Sequence, residues 1–237
     1  FLDNQALTTI RSEAKEGDFS HSFISSFVTD IHYVGGQSYI FPLYLYSVTK
    51  KSNLNPVVIN FLIEIHDKTP SHENIFYYIY AVLHSPTYRK RYEAFLKIDF
   101  PRVPLTADRD LFKTLCGLGS ELVSLHLMKS PELDNFITEF KGEGDNIVAT
   151  IDKNSYKNCK LSINKTQYFE GIPEDVYNFH IGGYQVCQKW LKDRKGRQLT
   201  EEEIAHYQKI VVALNDTIKI MSEIDAVIEG HGGWPLG

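Results

Sequence analysis

From Ser38 to Tyr46 the chain is rich in aromatic and β-compatible residues, which predicts strand, entered through a turn at Gly35-Gly36. The spacing then changes. From Pro56, apolar Val57, Phe61 and Ile65 recur at helical intervals, as do Ile75, Ile79 and Leu83 behind a Ser71 N-cap. Ser85-Pro86 offers a cap followed by proline at the first helical position, and Tyr88, Tyr92 and Phe95 are expected to share one buried face of a third helix. Leu111, Leu115, Leu118, Leu122 and Leu125 predict a long helix over about 106–129, ended by Ser130-Pro131.

Beyond it, residues 131–146 are polar and contain Gly142 and Gly144, so they form a loop or a linker. The chain is therefore divided into 1–130 (strands, then helices), a connection at 131–146, and 147–237 (hairpin, basic turn, long helix). Ile147–Ile151 and Lys160–Ile163 are expected to pair as a hairpin around Asp152–Asn158, with further strand over Tyr177–Ile181 before a Gly182-Gly183 turn. Thr200 and Glu203 make a capping box. The helix it opens is expected to reach about Glu229, with Ile204, Tyr207, Val211, Leu214, Ile218 and Met221 as a packing seam. His231-Gly232-Gly233-Trp234-Pro235 reads as a flexible exit. The pattern as a whole predicts an α+β fold with long helices and a small, mostly antiparallel sheet.

Composition adds limits. A 237-residue chain that is 43% hydrophobic can bury a sizeable core. No apolar run approaches the ~20 residues of a membrane span, so no membrane association is expected. Phe1 in place of Met suggests a fragment of something longer. The three cysteines, Cys116, Cys159 and Cys187, fit neither a disulfide framework nor a zinc site, and point to a reducing, cytoplasmic setting.

The net charge of −5 argues against a nucleic-acid partner, but the charge is unevenly placed. From His84 to Arg102 five basic residues face two acidic ones, and from Gln188 to Gln198 five face one. Arg89, Lys90 and Arg91, with Lys97 and Arg102, alternate with aromatic residues, so one helix face can pack while the other meets phosphates. Lys189, Lys192, Arg194, Lys195 and Arg197 surround a turn at Gly196, with Gln185 and Gln188 just before them. These twelve residues are the candidate DNA contacts. A charge run is usually just a solvated face, and composition alone does not separate DNA from RNA.

Signatures of catalysis are absent: there is no phosphate-binding loop, G-x-S-x-G, H-E-x-x-H or C-x-x-C. An amino-methyltransferase tetrapeptide is missing too, since Asn55-Pro56 is followed by valine. Asp134, Glu139 and Lys141 have the residue types of a metal-dependent nuclease, but an exposed polar stretch accounts for them better. No histidine pair has ligand spacing: His126 is expected to be packed, and His180 and His206 to make structural hydrogen bonds.

Two blocks carry a resemblance. Ile75–Arg89 running on to Phe95–Leu105, and Asn164–Pro173 followed by His180–Arg194, are similar to the C-terminal specificity region of ISP-type single-polypeptide restriction-modification enzymes, as is Tyr39–Tyr46. The likeness covers nearly the whole chain in the expected order. It implies a mixed α/β target-recognition domain that binds double-stranded DNA and has no catalytic centre or cofactor of its own. In that family a nuclease, a helicase-like motor and an adenine methyltransferase that flips its target base precede this region. S-adenosylmethionine, ATP and Mg would then belong to the parent, and the motor and methyltransferase would be partners within one polypeptide. Base-reading residues are expected in less familiar stretches, around Asp18–Gln37 and Glu132–Lys160. The rival reading is a protein-interaction module, docking through the leucine-rich helix and the seam of the last helix.

Overall fold

The computed structural model describes residues 4–12, 20–27, 37–66 and 69–236. The expected Gly35-Gly36 turn and most of the Asp18–Gln37 stretch lie outside them. The chain forms two compact units, residues 1–127 with 219–237, and residues 128–218. The fold is α+β, with small antiparallel sheets and long helices.

The first unit opens with β1 (Ala6–Ile10), flanked by β2 (Ser22–Ser25) and β3 (Ser38–Pro42) in a three-stranded antiparallel sheet. A separate ribbon pairs β4 (Tyr44–Tyr46) with β5 (Lys50–Ser52). Helices follow: α1 (Pro56–His66), α2 (His72–His84), α3 (Pro86–Arg91), α4 (Glu93–Leu96) and α5 (Arg109–His126). Their starts obey local chemistry. Ser71 Oγ accepts from the Asn74 amide, Ser85 Oγ from the Tyr88 amide, and Asp108 from the amides of Asp110 and Leu111, satisfying donors a helix N-terminus leaves unpaired.

The core of this unit is the packing of α2 on α5. Ile75, Tyr78 and Leu83 of α2 and Leu111, Leu115 and Leu122 of α5 are all nearly or fully buried. The backbones come close: a Cβ on Gly119 would lie 1.9 Å from the Tyr77 carbonyl oxygen. Tyr78 stacks on Phe112 at 5.0 Å and donates its hydroxyl to the Pro104 carbonyl. The expected aromatic face beyond α2 is only partly formed. Tyr88 is buried and Tyr92 half-buried against it, but Phe95 is 65% exposed, because the helical run breaks at Tyr92, whose backbone leaves the α region (φ −102°, ψ 14°) before α4 begins.

In the second unit, Pro131–Asp134 forms a 3-10 turn capped by Ser130. A four-stranded antiparallel sheet follows, in the order β6 (Glu139–Lys141), β9 (Tyr168–Glu170), β8 (Lys160–Ser162), β7 (Tyr156–Lys157). The expected pairing of Ile147–Ile151 with Lys160–Ile163 is replaced by a hairpin of β7, which lies inside the predicted loop, with β8. It closes through Asn158-Cys159, both with positive φ (52° and 59°), and Ile147 makes only an isolated bridge to Gln198. Ala149 still donates to the Ile163 carbonyl at 2.7 Å, so Ile147–Ile151 runs beside β8 without forming a ladder.

After α6 (Glu174–Asn178), β10 (His180–Ile181) and β11 (Tyr184–Gln185) pair across Gly182-Gly183, and then come α7 (Val186–Lys192) and α8 (Glu201–Gly230). Both glycines have positive φ, 57° and 82°, which a turn of this hand requires. The predicted strand from Tyr177 is thus a helical turn followed by two strand residues. Leu161, Phe169, Ile172, Val176, Cys187, Leu191, Tyr207 and Val211 are among the buried residues that make this unit's core.

The capping box of α8 is reciprocal: the Glu203 amide donates to Thr200 Oγ1 and the Thr200 amide to Glu203 Oε2, each at 3.2 Å. From Lys219 onward α8 belongs to the first unit, where Ile224 and Ile228 are buried. The tail beyond it is tied down instead of flexible. His231 Nδ1 lies 2.6 Å from Asp108 Oδ2, and Trp234 Nε1 donates to Thr87 Oγ1 at 2.8 Å.

Candidate nucleic-acid interface

Of the twelve candidate contact residues, the first five fall in the first unit and the other seven in the second. In the first unit, α3 carries Arg89, Lys90 and Arg91 in its last turn. Arg89 is committed to structure: its Nε donates to the Leu83 carbonyl at 2.7 Å, closing the C-terminal end of α2. Lys90 and Arg91 project into solvent with no hydrogen-bond or ion-pair partner among the described residues. Lys97 pairs with Glu93 one turn earlier at 2.5 Å, and Arg102 is exposed. Exposed Phe95 and Ile98 lie between these cations in the sequence, so the surface is basic with apolar residues interspersed.

In the second unit the basic turn is held by backbone. Gly196 N donates to the Val148 carbonyl, Val148 N to the Arg197 carbonyl, and Leu199 N to the Asn146 carbonyl, at 2.8 to 3.0 Å. Gly196 has φ +78°, and a Cβ there would meet nothing, so conformation and not crowding selects glycine. Arg194 lies 3.5 Å above the Trp190 ring, donates to the Trp190 carbonyl, and reaches Glu203 at 3.4 Å; Arg197 reaches the same carboxylate at 2.9 Å. Burial disfavours the Glu203 charge, yet the Thr200 amide and the two guanidinium groups hold its carboxyl below the ordinary range.

Lys189 is paired with Asp193 and lies over the Tyr184 ring. Gln185 donates to the Tyr177 carbonyl, and Gln188 donates to the Asp152 carbonyl and the Tyr177 hydroxyl, so both amides act first as internal struts. Lys192 has only a neutral partner, Gln188 Oε1, and Lys195 has none among the described residues. Two carboxylates, Asp193 and Glu203, thus engage three of the five cations of this segment, and Lys192 and Lys195 keep no ionic partner among the described residues.

One basic pair escaped the sequence reading. Lys50 and Lys51 on β5 are exposed, beyond a loop of Ser47, Val48 and Thr49. That loop lacks the Gly, Asn or Asp that marks most hairpin turns, and Lys50-Lys51-Ser52 has no strand composition, so the sequence carried no usable signal for the ribbon.

The carboxylates that resembled a nuclease do not converge. Asp134 pairs with Lys209 at 2.7 Å, while Glu139 and Glu170 share Lys141, at 2.9 and 2.5 Å. The Lys141 and Lys160 ammonium groups hold the Glu170 carboxyl down at about 2. Among the described residues, no group of three or more His, Cys, Asp or Glu side chains is placed to hold a metal ion.

Four of the described histidines make internal contacts. His84 and His126 pack with Tyr80, whose hydroxyl lies 2.7 Å from His126 Nδ1 and whose carbonyl lies 2.8 Å from His84 Nδ1. Burial, followed by the Arg89 charge, pushes His84 well below the ordinary histidine range and His126 down to about 4. His180 Nδ1 contacts the Asn178 carbonyl, and His206 packs on Trp190.

The described residues thus combine small antiparallel sheets, long helices and exposed basic side chains at helix ends and turns. The family is explicit: residues 2–223 match the Type ISP C-terminal specificity domain, and the chain belongs to that family. Solved structures share the fold. A nuclease-deletion mutant of the Type ISP restriction-modification enzyme LlaGI, in complex with a DNA substrate mimic, aligns with 94% of this chain and 21% of its own at 21% identity and TM-score 0.68. The ATP-dependent Type ISP enzyme LlaBIII bound to DNA aligns with 94% of this chain and 16% of its own, at 19% identity and TM-score 0.73. A DrdV–DNA complex aligns with 93% and 24%, at 18% identity and TM-score 0.73. The chain thus spans about a fifth of the length of these proteins. No curated protein matches the chain.

Proposed function

We propose that this chain reads DNA sequence on behalf of a restriction-modification polypeptide and performs no chemistry itself. Membership of residues 2–223 in a specificity-domain family carries the reading. It is supported by cations left for phosphates, Lys90 and Arg91 in one unit and Lys192 and Lys195 in the other, and by DNA in the complexes of the solved proteins that share the fold. On this reading the methyltransferase, motor and nuclease, with their S-adenosylmethionine, ATP and Mg, belong to the remainder of the parent, and the protein works in the cytoplasm. Among the described residues no helix is long and apolar enough to cross a membrane.

The interaction-module reading is weaker on its first two surfaces, because Leu115 and Leu122 of α5 and Val211 and Leu214 of α8 are used inside the units. What favours it is a different face: Val57 and Phe61, one turn apart on α1, are 72% and 44% exposed.

The test is selection from a randomised duplex library with the 237-residue chain, followed by mobility shifts on the enriched and a scrambled duplex. DNA reading predicts enrichment of a defined motif and tighter binding to it. Equal binding to both duplexes would favour docking through α1.

A further inference from the structure

The β4–β5 ribbon has a fixed stem and a bare tip. At the stem, Leu43 is buried and accepts the Asn53 amide at 2.9 Å; the Asn4 side chain clamps the Tyr44 backbone in both directions, at 2.8 and 3.1 Å; and the Tyr44 hydroxyl donates to Glu73 on α2 at 2.5 Å. At the tip, Val48 is 100% exposed. An apolar side chain held there contributes nothing to packing. Its neighbours Ser47 and Thr49 carry hydroxyls, and the backbone hydrogen bond across the loop, Ser47 N to the Thr49 carbonyl, is long at 3.4 Å.

Register then places the charges. Tyr46 pairs with Lys50 and Leu45 with Lys51, so the two lysines project from opposite faces of the ribbon. Lys50 Nζ sits 3.7 Å above the Tyr44 ring, which orients it without neutralising it, and Lys51 has no partner among the described residues. Glu73 on α2 keeps its charge while accepting from Tyr44 and lies close enough to feel Lys50, so Lys50 is partly compensated and Lys51 is not.

We propose that this hairpin enters the major groove of duplex DNA tip first. The groove is wide enough to admit a two-stranded ribbon. In that pose Lys50 and Lys51 reach the phosphates of opposite strands, while Ser47, Val48 and Thr49 meet base edges: the hydroxyls by hydrogen bonding and the valine methyls against a thymine methyl. The inference rests on the DNA-reading function and adds to it a named reading element.

The experiment compares three proteins, each the full 237-residue chain: wild type, Lys50→Ala/Lys51→Ala, and Ser47→Ala/Val48→Ala/Thr49→Ala. Probes are the duplex enriched by the wild type, its single-base variants and a scrambled duplex, and all three proteins are expected to melt together because the altered side chains are exposed. The lysine pair should weaken binding to every duplex alike and make the slope of log affinity against log salt shallower by about 1.8, at ~0.9 per phosphate contact. The tip variant should keep the salt slope and lose roughly fivefold or more of the discrimination at one or two adjacent base pairs. If the wild type discriminates and both variants match it, the hairpin does not touch DNA and the proposal is overturned, with the DNA reading intact. If the wild type enriches no sequence, the DNA reading fails and the hairpin proposal falls with it.

Discussion

Asp225 Oδ1 accepts the hydroxyl hydrogen of Ser85 at 2.5 Å, joining the last part of α8 to the single residue between α2 and α3. The same carboxylate accepts from the Thr87 hydroxyl at 2.8 Å and the Thr87 amide at 3.0 Å. Ser85 is fully buried, and its Oγ also caps α3. One acid therefore fixes where a helix pair breaks and where the α3 cations begin. Asp225→Ala should lower stability by about 2–3 kcal/mol, since charge-assisted bonds are lost and a buried hydroxyl loses a partner. Urea unfolding checks this, and Asp225→Asn should recover part of the loss.

Two glycines of α5 make opposite predictions. Gly119 abuts the Tyr77 backbone, so Gly119→Ala must separate α2 from α5 and should cost about 2–3 kcal/mol or more. Gly117 has nothing within 4 Å of a built Cβ, so Gly117→Ala should stabilise by up to ~1 kcal/mol through helix propensity. Thermal melts of the two variants should move in opposite directions.

The first unit should be acid-sensitive. His84 and His126 have depressed values in the folded state, so both states are neutral above the unfolded value near 6.5 and the stability is fully present there. As pH falls below about 6.5 the unfolded chain takes up protons that the folded one refuses. Stability should then drop by up to ~1.4 kcal/mol per pH unit per histidine, down toward pH 4 for His126. Chemical denaturation at pH 7.5, 6.0 and 5.0 measures it, and a flat profile would show that the rings are solvated.

Much of this was legible in the sequence where the cause is local. Ser71, Ser85-Pro86 and the Thr200/Glu203 box announced helix starts because a cap acts within three residues. The leucine spacing of α5 announced its buried face for the same reason. What escaped either carries no residue-level marker or depends on partners distant in the sequence. The hairpin closes at Asn158-Cys159, a pair with no glycine to mark positive φ. Phe95 kept helical spacing with Tyr88 but lost its place when the helix broke at Tyr92.

The basic clusters show the same limit. Arg89, Arg194 and Arg197 count equally with Lys90 and Lys195 in a charge sum, but their partners are the Leu83 carbonyl and Glu203, which composition cannot pair with them.

That sorting is itself testable. Arg194→Ala removes the Trp190 stack and one Glu203 contact and should act mainly on stability, by about 1 kcal/mol. Lys195→Ala should leave the melt unchanged and weaken DNA binding. Melting and duplex titration on the same two proteins separate the roles.

That the chain itself distinguishes DNA sequences is tested most directly by equilibrium titration of the wild-type chain with its selected duplex and a scrambled one across a series of salt concentrations. Log affinity should fall linearly with log salt for both duplexes, set by phosphate contacts, with a gap between the two lines that persists as salt rises because base readout is a separate contribution. Coincident lines at every salt concentration would contradict it.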